Sequence, residues 1–239
     1  MYKQGMISFI LPAYNAGVFI EKNIKLLRRF LLANLNNQFE IILVDDGSTD
    51  KTGLVANNLN FPELRVFAYA KNKGKGYALK YGLKHAKGTI VIMMDIDLPG
   101  QLDLNVISAA VYDILSGNDI VIGSRYGRDS KIKRKAYRLF ISRLYLRMVS
   151  RLFPQLKISD TDMGFKAFKS SVLKKLNNQI KEEGWSWDLE MLLLAREYGY
   201  SIKELPVNWS ETGKSTFSLI EQLSQLYTTF KIKYRYLRI

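Results

Sequence analysis

Asp95 and Asp97 are separated by one residue and follow a run of apolar residues in this 239-residue chain. Side chains two positions apart in an extended segment point to the same side, so these carboxylates can hold one hard divalent cation, Mg²⁺ or Mn²⁺. Such a cation binds phosphate oxygens and neutralises the charge on a leaving diphosphate. The alternative is a polar turn after a strand, because Asp is a common turn residue.

A second acidic cluster, Asp45 and Asp46, also follows an apolar run and continues as Gly47-Ser48-Thr49-Asp50. One of the two carboxylates can accept hydrogen bonds from the base or ribose of a nucleotide. The residues after them can instead cap the following helix. Residues 72–76, Asn-Lys-Gly-Lys-Gly, open a helical pattern and form either an anion site or a flexible glycine loop.

The surrounding pattern predicts the elements that position these clusters. Short runs rich in β-branched residues predict strands at residues 7–11, 41–44, 65–69, 90–94 and 120–122. Helical periods lie between them, which predicts an α/β fold with a mostly parallel, Rossmann-like sheet and helices on both faces. Ligands bind at the carboxyl ends of such strands, and the polar segments 12–15, 45–50 and 95–97 fall at those ends.

Composition narrows the chemistry. The chain has no cysteine and one histidine, which excludes disulfides, thiolate zinc sites and cysteine nucleophiles and argues against a Ser-His-Asp triad. The formal charge of +14 predicts an anionic partner, namely a nucleic acid, a phosphorylated substrate or a membrane surface. No stretch reaches the roughly 18 apolar residues of a membrane-spanning helix, which predicts a peripheral protein.

The second half of the chain predicts two basic amphipathic helices. We expect a main domain over residues 1–214 with a helix over 131–153, followed by a helical segment over 215–239. Arg143, Arg147 and Arg151 flank an apolar stripe of Tyr137, Ile141, Leu144, Met148 and Leu152. An excess of one charge beside an apolar stripe favours contact with an anionic membrane, although a solvated face is the alternative.

Taken together, segments 12–15, 44–50, 72–76, 95–97 and 123–125 resemble, in order and spacing, family 2 inverting glycosyltransferases with a GT-A fold. Residues 160–166 are similar to a segment of polyprenyl-phosphate sugar synthases, and residues 183–190 and 208–215 to segments of dolichyl-phosphate glucose synthases. The resemblance implies a nucleotide-sugar donor, UDP-glucose, and a polyprenyl or dolichyl phosphate acceptor. Pro99 stands where mannosyl relatives often have Gln, which favours glucose over mannose.

Specific roles follow for individual residues, in part from the resemblance. The nucleotide is expected near Pro12, Tyr14, Asn15, Asp45, Asp46, Lys75 and Asp95, and the metal on Asp95 and Asp97. The acceptor phosphate is expected at Arg125, Arg134, Arg138 and Lys214, and the sugar at Gly164, Trp187 and Asp188. The residues expected to carry catalysis are Asp97, Arg125 and Asp188.

The proposed chemistry is displacement at the anomeric carbon with inversion. A phosphate monoester has a second pKa of about 6, so it is already nucleophilic at neutral pH and needs cations more than a general base. If residues 188–198 form a helix, Asp188 and Glu190 face different sides, and we favour Asp188 as the one facing the site. The alternative is a helix start that acids decorate because the helix dipole favours them.

Two other interpretations stay open. The basic charge also suits a nucleic-acid-binding protein, although no nucleic-acid motif is recognisable. An enzyme of the same kind can also use another sugar, or a protein, glycan or diacylglycerol as acceptor. For the lipid-phosphate acceptor, we expect the protein at the cytoplasmic face of a membrane.

Overall fold

The structure is a computed structural model that describes residues 5–35, 38–211 and 219–236. The strands are β1 (Ile7–Ala13), β2 (Phe39–Asp45), β3 (Leu64–Ala68), β4 (Ile90–Met94), β5 (Ile120–Ser124), β6 (Lys131–Lys133), β7 (Phe165–Lys169), β8 (Ile202–Pro206) and β9 (Asn208–Ser210). The helices are α1 (Ile20–Asn34), α2 (Thr52–Asn57), α3 (Lys75–His85), α4 (Asn105–Leu115), α5 (Ala136–Leu152), α6 (Ser170–Asn177), α7 (Trp187–Glu197) and α8 (Leu219–Tyr236). A single 3₁₀ turn spans Leu98–Gly100.

Over the described residues, seven strands form one sheet in the spatial order β3-β2-β1-β4-β7-β5-β8. β1 lies between β2 and β4 and runs parallel to both. β7 is the exception, because it runs antiparallel to its neighbours β4 and β5. The predicted α/β fold with a mostly parallel sheet is therefore confirmed, with one reversed strand that the local pattern did not predict.

Both faces of the sheet are covered by helices, because successive strand residues point to opposite sides. In β1, Phe9 and Leu11 pack with residues of α1 and α4, whereas Ile10 packs with residues of α3 and α7. All three side chains are fully buried. Burying each of these side chains stabilises the fold by about 1.5–3 kcal/mol. The centre of the sheet therefore holds the residues that follow β1 and β4 in fixed positions.

The predicted helix over residues 131–153 requires a correction at its start. Residues Lys131–Lys133 form β6, and the helix α5 begins at Ala136. β6 pairs with β9 in a separate parallel two-stranded sheet, where Ile132 lies opposite Trp209. Ile132 also packs against the core cluster that contains Trp209. This pairing with a distant segment is a tertiary effect, so helical periodicity near residue 131 could not show it.

The helices α5 and α8 are joined by a hydrogen bond of 3.0 Å between the hydroxyl groups of Tyr145 and Thr229. Met148 and Leu152, the last members of the predicted stripe, turn towards the core and are half-buried. Large apolar side chains are exposed on both helices: Tyr137, Phe140, Ile141 and Leu144 on α5, and Leu223, Tyr227, Phe230 and Tyr234 on α8. Among the described helices, none combines the length and apolarity needed to cross a membrane.

Candidate active site

The predicted polar clusters meet along one edge of the sheet. β1 and β4 are neighbours at its centre, and β2 and β3 continue on one side of them while β7 and β5 continue on the other. Such a reversal of strand order leaves a crevice beyond the carboxyl ends of the two central strands, which is where open α/β sheets bind ligands. The starts of α3 and α7 bring Lys75 and Asp188 to the same edge.

Asp95 and Asp97 lie directly beyond β4. Oδ1 of Asp95 is 2.9 Å from Nζ of Lys75, and Oδ2 of Asp97 accepts a hydrogen bond of 3.0 Å from the Gln101 amide. Burial and the charge of Asp95 raise the pKa of Asp97 to about 6. Gly164 makes this arrangement possible, because a Cβ atom there would lie 1.9 Å from Oδ2 of Asp95.

This pair fits a hard divalent cation. Carboxylate oxygens are the ligands that Mg²⁺ and Mn²⁺ prefer. Burial and, after it, the charge of Asp95 raise the pKa of Asp97, and a cation bound there would offset both. Within residues 5–35, 38–211 and 219–236, no group of three or more His, Cys, Asp or Glu side chains is arranged to hold a metal. Mg²⁺ is commonly held by one or two carboxylates together with waters and substrate phosphates.

Lys75 links the acidic pair to a second carboxylate. Its Nζ atom lies 2.9 Å from Oδ1 of Asp95 and 3.0 Å from Oδ2 of Asp188. The other oxygen of Asp188 is 2.8 Å from Nζ of Lys166. Burial by itself raises the pKa of Asp188, but the two lysines outweigh it and hold that pKa below its ordinary value. Lys75, Lys166 and Asp188 therefore form a buried cationic cluster beside Asp95.

Glu190 faces away from this cluster, as helix geometry predicts for a residue two positions after Asp188. It accepts backbone N–H groups of Lys181 and Glu182 and contacts the guanidinium of Arg235. Glu190 is fully buried. Its contacts tie α8 to the start of α7, which supports the orientation of the helix that carries Asp188.

Asp46 organises a loop. Its carboxylate accepts hydrogen bonds from the Tyr69 hydroxyl, the Asn72 amide and the backbone N–H groups of Lys73 and Gly74, over distances of 2.7–3.0 Å. Four donors saturate the acceptor sites of a carboxylate. Asp46 therefore fixes the start of α3 and the backbone beside Lys75, and the expected contact of Asp45 or Asp46 with the nucleotide stays a prediction. Asp45 similarly accepts the backbone N–H of Ser48 at 2.9 Å.

The segment after β1 is fastened to the segment after β2. The backbone N–H of Asn15 donates to the Ser48 hydroxyl, and the Asn15 side chain accepts the N–H of Thr49, both at 2.9 Å. Asn15 has a positive φ of 49°, a conformation that Asn tolerates better than most residues. Pro12 is partly buried, and the ring of Tyr14 is 46% exposed beside this junction, so Tyr14 is accessible to a ligand.

Arg125, beyond β5, is engaged by a buried carboxylate. Its Nε and Nη2 atoms donate to Asp160 at 2.8 and 2.9 Å, and its backbone N–H donates to the same group. Burial opposes this charge, yet Asp160 raises the pKa of Arg125 above its ordinary value. The pair is a rigid fork-to-carboxylate contact. An acceptor phosphate would therefore have to bind the guanidinium of Arg125 while Asp160 stays bound to it.

Two further predicted acceptor residues share another partner. Arg138 contacts Glu211 at 2.5 Å, and Arg134 lies 3.6 Å from the same carboxylate. Arg125 also lines a cleft of about 550 Å³ beside α5, which includes Arg143 and Arg147. The two groups are nevertheless neighbours, because the guanidinium groups of Arg125 and Arg134 each lie 5.7 Å from the centre of the Trp209 ring. Lys214 lies outside the described residues.

The expected sugar contact of Trp187 is incompatible with its position. Its side chain is fully buried in the core cluster formed by α3, α6 and α7. A Cβ atom on Gly76 would come within 2.7 Å of Cβ of Trp187, which shows how closely α3 and α7 pack. Trp187 is therefore a packing residue, and this expectation is corrected. Gly164 provides space for the side chain of Asp95, and its expected contact with the sugar stays a prediction.

Sequence reasoning did not assign a role to Lys166, Asp160 or Asp162. All three occur in segment 160–166, in which Gly164 is the one residue with a predicted role, namely contact with the sugar. Asp162 is hydrogen-bonded by Gln225 at 3.3 Å, and burial together with Asp160 raises its pKa to about 6. A lysine between two apolar residues of a strand was the available signal, because a buried ammonium group requires a counter-charge.

The order of the elements and the acidic edge define an α/β domain with a ligand crevice at its switch point. Residues 8–176 match the Glycosyl transferase family 2 domain. The chain belongs to this family. It is 32% identical over 224 residues to Glycosyltransferase AglD of Haloferax volcanii, covering 91% of this chain and 35% of that protein. It is 30% identical over 235 residues to dolichyl-phosphate beta-glucosyltransferase ALG5A of Trichomonas vaginalis, covering 95% of this chain and 72% of that protein.

A third relative, dolichyl-phosphate beta-glucosyltransferase ALG5C of Trichomonas vaginalis, is 30% identical over 223 residues, covering 89% of this chain and 66% of that protein. The chain thus spans about a third of AglD and two thirds of ALG5C. Among solved structures, glucosyl-3-phosphoglycerate synthase from Mycobacterium tuberculosis, in complex with Mn²⁺, UDP and glucosyl-3-phosphoglycerate, aligns with a TM-score of 0.72. The identity is 22%, and the alignment covers 95% of this chain and 78% of that chain. The fold is therefore GT-A.

Proposed function

We propose that this protein transfers glucose from UDP-glucose, with inversion, to a polyprenyl or dolichyl phosphate at a membrane surface. The observation that carries this proposal is the placement of Asp95, Asp97 and Lys75 together at the switch point of a family 2 domain. Several relatives are named dolichyl-phosphate beta-glucosyltransferases, which supports both the sugar and the acceptor.

The donor diphosphate is assigned to the acidic edge. Asp95 and Asp97 would hold Mg²⁺ or Mn²⁺, which supplies charge neutralisation for the departing nucleoside diphosphate. Lys75 adds a fixed positive charge next to Asp95. Tyr14 offers an exposed ring beside the Asn15 junction for the nucleotide base. The residues after β1, β2 and β4 thus surround one crevice, which suits a single extended nucleotide-sugar.

The acceptor is assigned to the side of the crevice that holds Arg125. A phosphate monoester attacks the anomeric carbon directly, and the bond from that carbon to the diphosphate oxygen breaks. No proton acceptor is required, since the phosphate is largely dianionic at neutral pH, with a second pKa of about 6. Arg125, supported by Arg143 and Arg147 in the same cleft, supplies the cations that position the phosphate.

A membrane surface is assigned to the outer faces of α5 and α8. Four large apolar side chains are exposed on each helix, and Phe140 and Phe230 are 67% and 53% exposed. Arg143, Arg147 and Arg151 occur on the same α5 helix. Aromatic and aliphatic side chains beside arginines fit the boundary between headgroups and acyl chains of an anionic bilayer.

The transfer reaction can be tested with radiolabelled UDP-glucose, Mn²⁺ and polyprenyl phosphate in detergent, followed by organic extraction. We expect labelled lipid that forms only when the polyprenyl phosphate is present, and much less label from GDP-mannose. Phosphoglyceric acid serves as a soluble competing acceptor, because one structural neighbour is a glucosyl-3-phosphoglycerate synthase. Transfer that ignores the lipid phosphate contradicts the proposed acceptor, and transfer from GDP-mannose alone contradicts the donor.

Membrane binding can be tested separately by flotation with vesicles. We expect binding to anionic vesicles and little binding to neutral ones at physiological salt. Leu144→Glu with Phe230→Glu is expected to abolish flotation, because each exposed apolar side chain becomes charged. Leu54→Glu with Tyr112→Glu is the matched control, since these side chains are 61% and 72% exposed on other helices. Equal loss in both double variants contradicts the assigned surface.

A further inference from the structure

We propose that Lys166 is a positioning residue that holds Asp188, and through Asp188 holds Lys75, beside the carboxylates Asp95 and Asp97. This inference rests on the proposed function only in assigning the diphosphate to that edge. It changes the role of Asp188 from the expected catalytic contact to a connection between two lysines. Lys166 with Asp188, Asp188 with Lys75, and Lys75 with Asp95 are each in direct contact through charged atoms.

Lys166 occupies a costly position. It belongs to β7, inside the sheet, and its side chain is 1% exposed. An ammonium group leaves water at such a site only when it is paired and hydrogen-bonded. Nζ of Lys166 donates to the backbone carbonyl of Met163 at 2.5 Å and lies 2.8 Å from Oδ1 of Asp188. Asp188 is therefore the counter-charge of Lys166 in the core.

Asp188 has its two oxygens divided between the two lysines. Oδ1 faces Lys166 and Oδ2 lies 3.0 Å from Nζ of Lys75. The side chain is 7% exposed, and that of Lys75 is 10% exposed. Because Lys166 holds one oxygen, Asp188 cannot turn fully towards Lys75. Lys75 is left within 2.9 Å of Asp95, at the point where a phosphate group would approach.

The charges of the cluster and of the neighbouring acidic pair explain how Lys166 can affect ligand binding. Asp95, Asp97 and Asp188 bring three carboxylates and Lys75 and Lys166 two ammonium groups, so one negative charge is in excess. Without Lys166 the excess is two, and Asp188 is free to draw Lys75 away from Asp95. A cation at Asp95 and Asp97 is then held more tightly, whereas a diphosphate meets more negative charge and loses the nearby ammonium group.

Lys166→Met therefore has two effects of opposite sign. We expect the affinity for Mn²⁺ alone, measured by electron paramagnetic resonance of the free ion, to rise about threefold. We expect the affinity for UDP at saturating Mn²⁺, measured by calorimetry, to fall about tenfold. General damage to the site would weaken both. Lys166→Arg keeps the charge, so we expect its Mn²⁺ affinity to match that of the original protein and its UDP affinity to lie within about threefold of the original value.

Lys169→Met is the matched control. Lys169 lies on the same strand, but it pairs with Asp119 near the surface, where its side chain is 35% exposed. We expect neither affinity to change in this variant. Lys166→Met with unchanged UDP and Mn²⁺ affinities, or with both weakened, overturns the proposal. The Mn²⁺ measurement decides the role of Lys166 even if the unaltered protein binds no UDP, a result that would contradict the proposed donor instead.

A second variant covers the case in which Lys166→Met alone does not fold. Lys166→Met with Asp188→Asn removes both buried charges, so neither partner is left uncompensated. The excess of one negative charge is then retained, and we expect Mn²⁺ affinity close to that of the original protein. UDP affinity is still expected to fall, since Lys75 has lost its anchor. Undiminished UDP affinity in this variant overturns the proposal.

Discussion

Two groups of aspartates lie on the same edge of the sheet in opposite electrostatic conditions. Asp160 and Asp188 are buried against Arg125, Lys75 and Lys166, and these cations hold the pKa of each carboxyl below its ordinary value despite burial. Burial and the neighbouring Asp95 instead raise the pKa of Asp97 to about 6. Asp160 and Asp188 are thus neutralised by the protein's own cations, whereas Asp95 and Asp97 share the single ammonium group of Lys75.

The difference indicates which part of the edge is completed by a ligand. A carboxylate that is paired and hydrogen-bonded contributes to holding the fold in place. A carboxylate pushed towards its neutral form by burial and by a like charge costs stability, and such perturbed groups cluster at functional sites. Asp95 and Asp97 are thus the candidates for binding a cation. The ion pairs around them, which join Asp160 to Arg125 and Asp188 to Lys75 and Lys166, form a structural frame.

The largest expected effect on stability comes from Asp160→Asn. The variant leaves the Arg125 guanidinium without a counter-charge where its side chain is only 11% exposed. Losing one partner of a buried ion pair costs about 3–5 kcal/mol in free energy of unfolding, which urea denaturation measures. Asp119→Asn, at a surface pair with Lys169, is the comparison and should cost about 1 kcal/mol or less. Equal losses of stability in the two variants would contradict a special role for the buried ion pair.

The pH dependence of metal binding should follow Asp97. A carboxylate binds a cation only when deprotonated, so protons compete with Mn²⁺ as the pH falls through about 6. We expect the Mn²⁺ affinity to fall about tenfold for each pH unit below that value. Electron paramagnetic resonance of free Mn²⁺ at pH 5, 6 and 7 measures it. A flat profile between pH 5 and 7 would contradict an acidic pair with a raised pKa.

The smallest expected effect is a gain in stability. Because the folded-state pKa of Asp97 is raised, its contribution to stability is present at low pH and is lost as the pH rises through about 6. Asp97→Asn removes this cost, which is about 3 kcal/mol for a pKa raised from 3.8 to about 6, but it also weakens the hydrogen bond from Gln101. We therefore expect the free energy of unfolding to rise by about 1 kcal/mol at pH 7 without metal. The gain should vanish near pH 4, where both side chains are neutral. Destabilisation at pH 7 would show that Asp97 belongs to the frame.

The local sequence pattern was sufficient to predict the strands at the centre of the sheet. β1, β2 and β4 are nearly continuous apolar runs because parallel strands are buried on both faces, and the acidic residues after β2 and β4 then have to lie at one edge. The pair Asp95 and Asp97 was predictable for this reason. A resemblance that extends over several segments added the family, which comparison with known proteins confirmed.

The contacts between distant segments were not predictable in the same way. β7 lies between β4 and β5 and runs in the opposite direction, which depends on the path of the whole chain. Lys166 becomes part of the site only through its contact with Asp188 from α7. Trp187 was expected at the sugar because an indole ring can stack on one, yet close packing of α3 against α7 buries it.

The most direct test of a metal-assisted diphosphate site is calorimetric titration of UDP into the protein with and without Mn²⁺, repeated for Asp97→Asn. Asp103→Asn is the control, since this exposed residue caps the start of α4 beyond the acidic pair. We expect UDP to bind the original protein and Asp103→Asn only with Mn²⁺, and to bind Asp97→Asn at least about 100-fold more weakly. UDP binding that is equally tight without Mn²⁺, or in Asp97→Asn, would contradict the account.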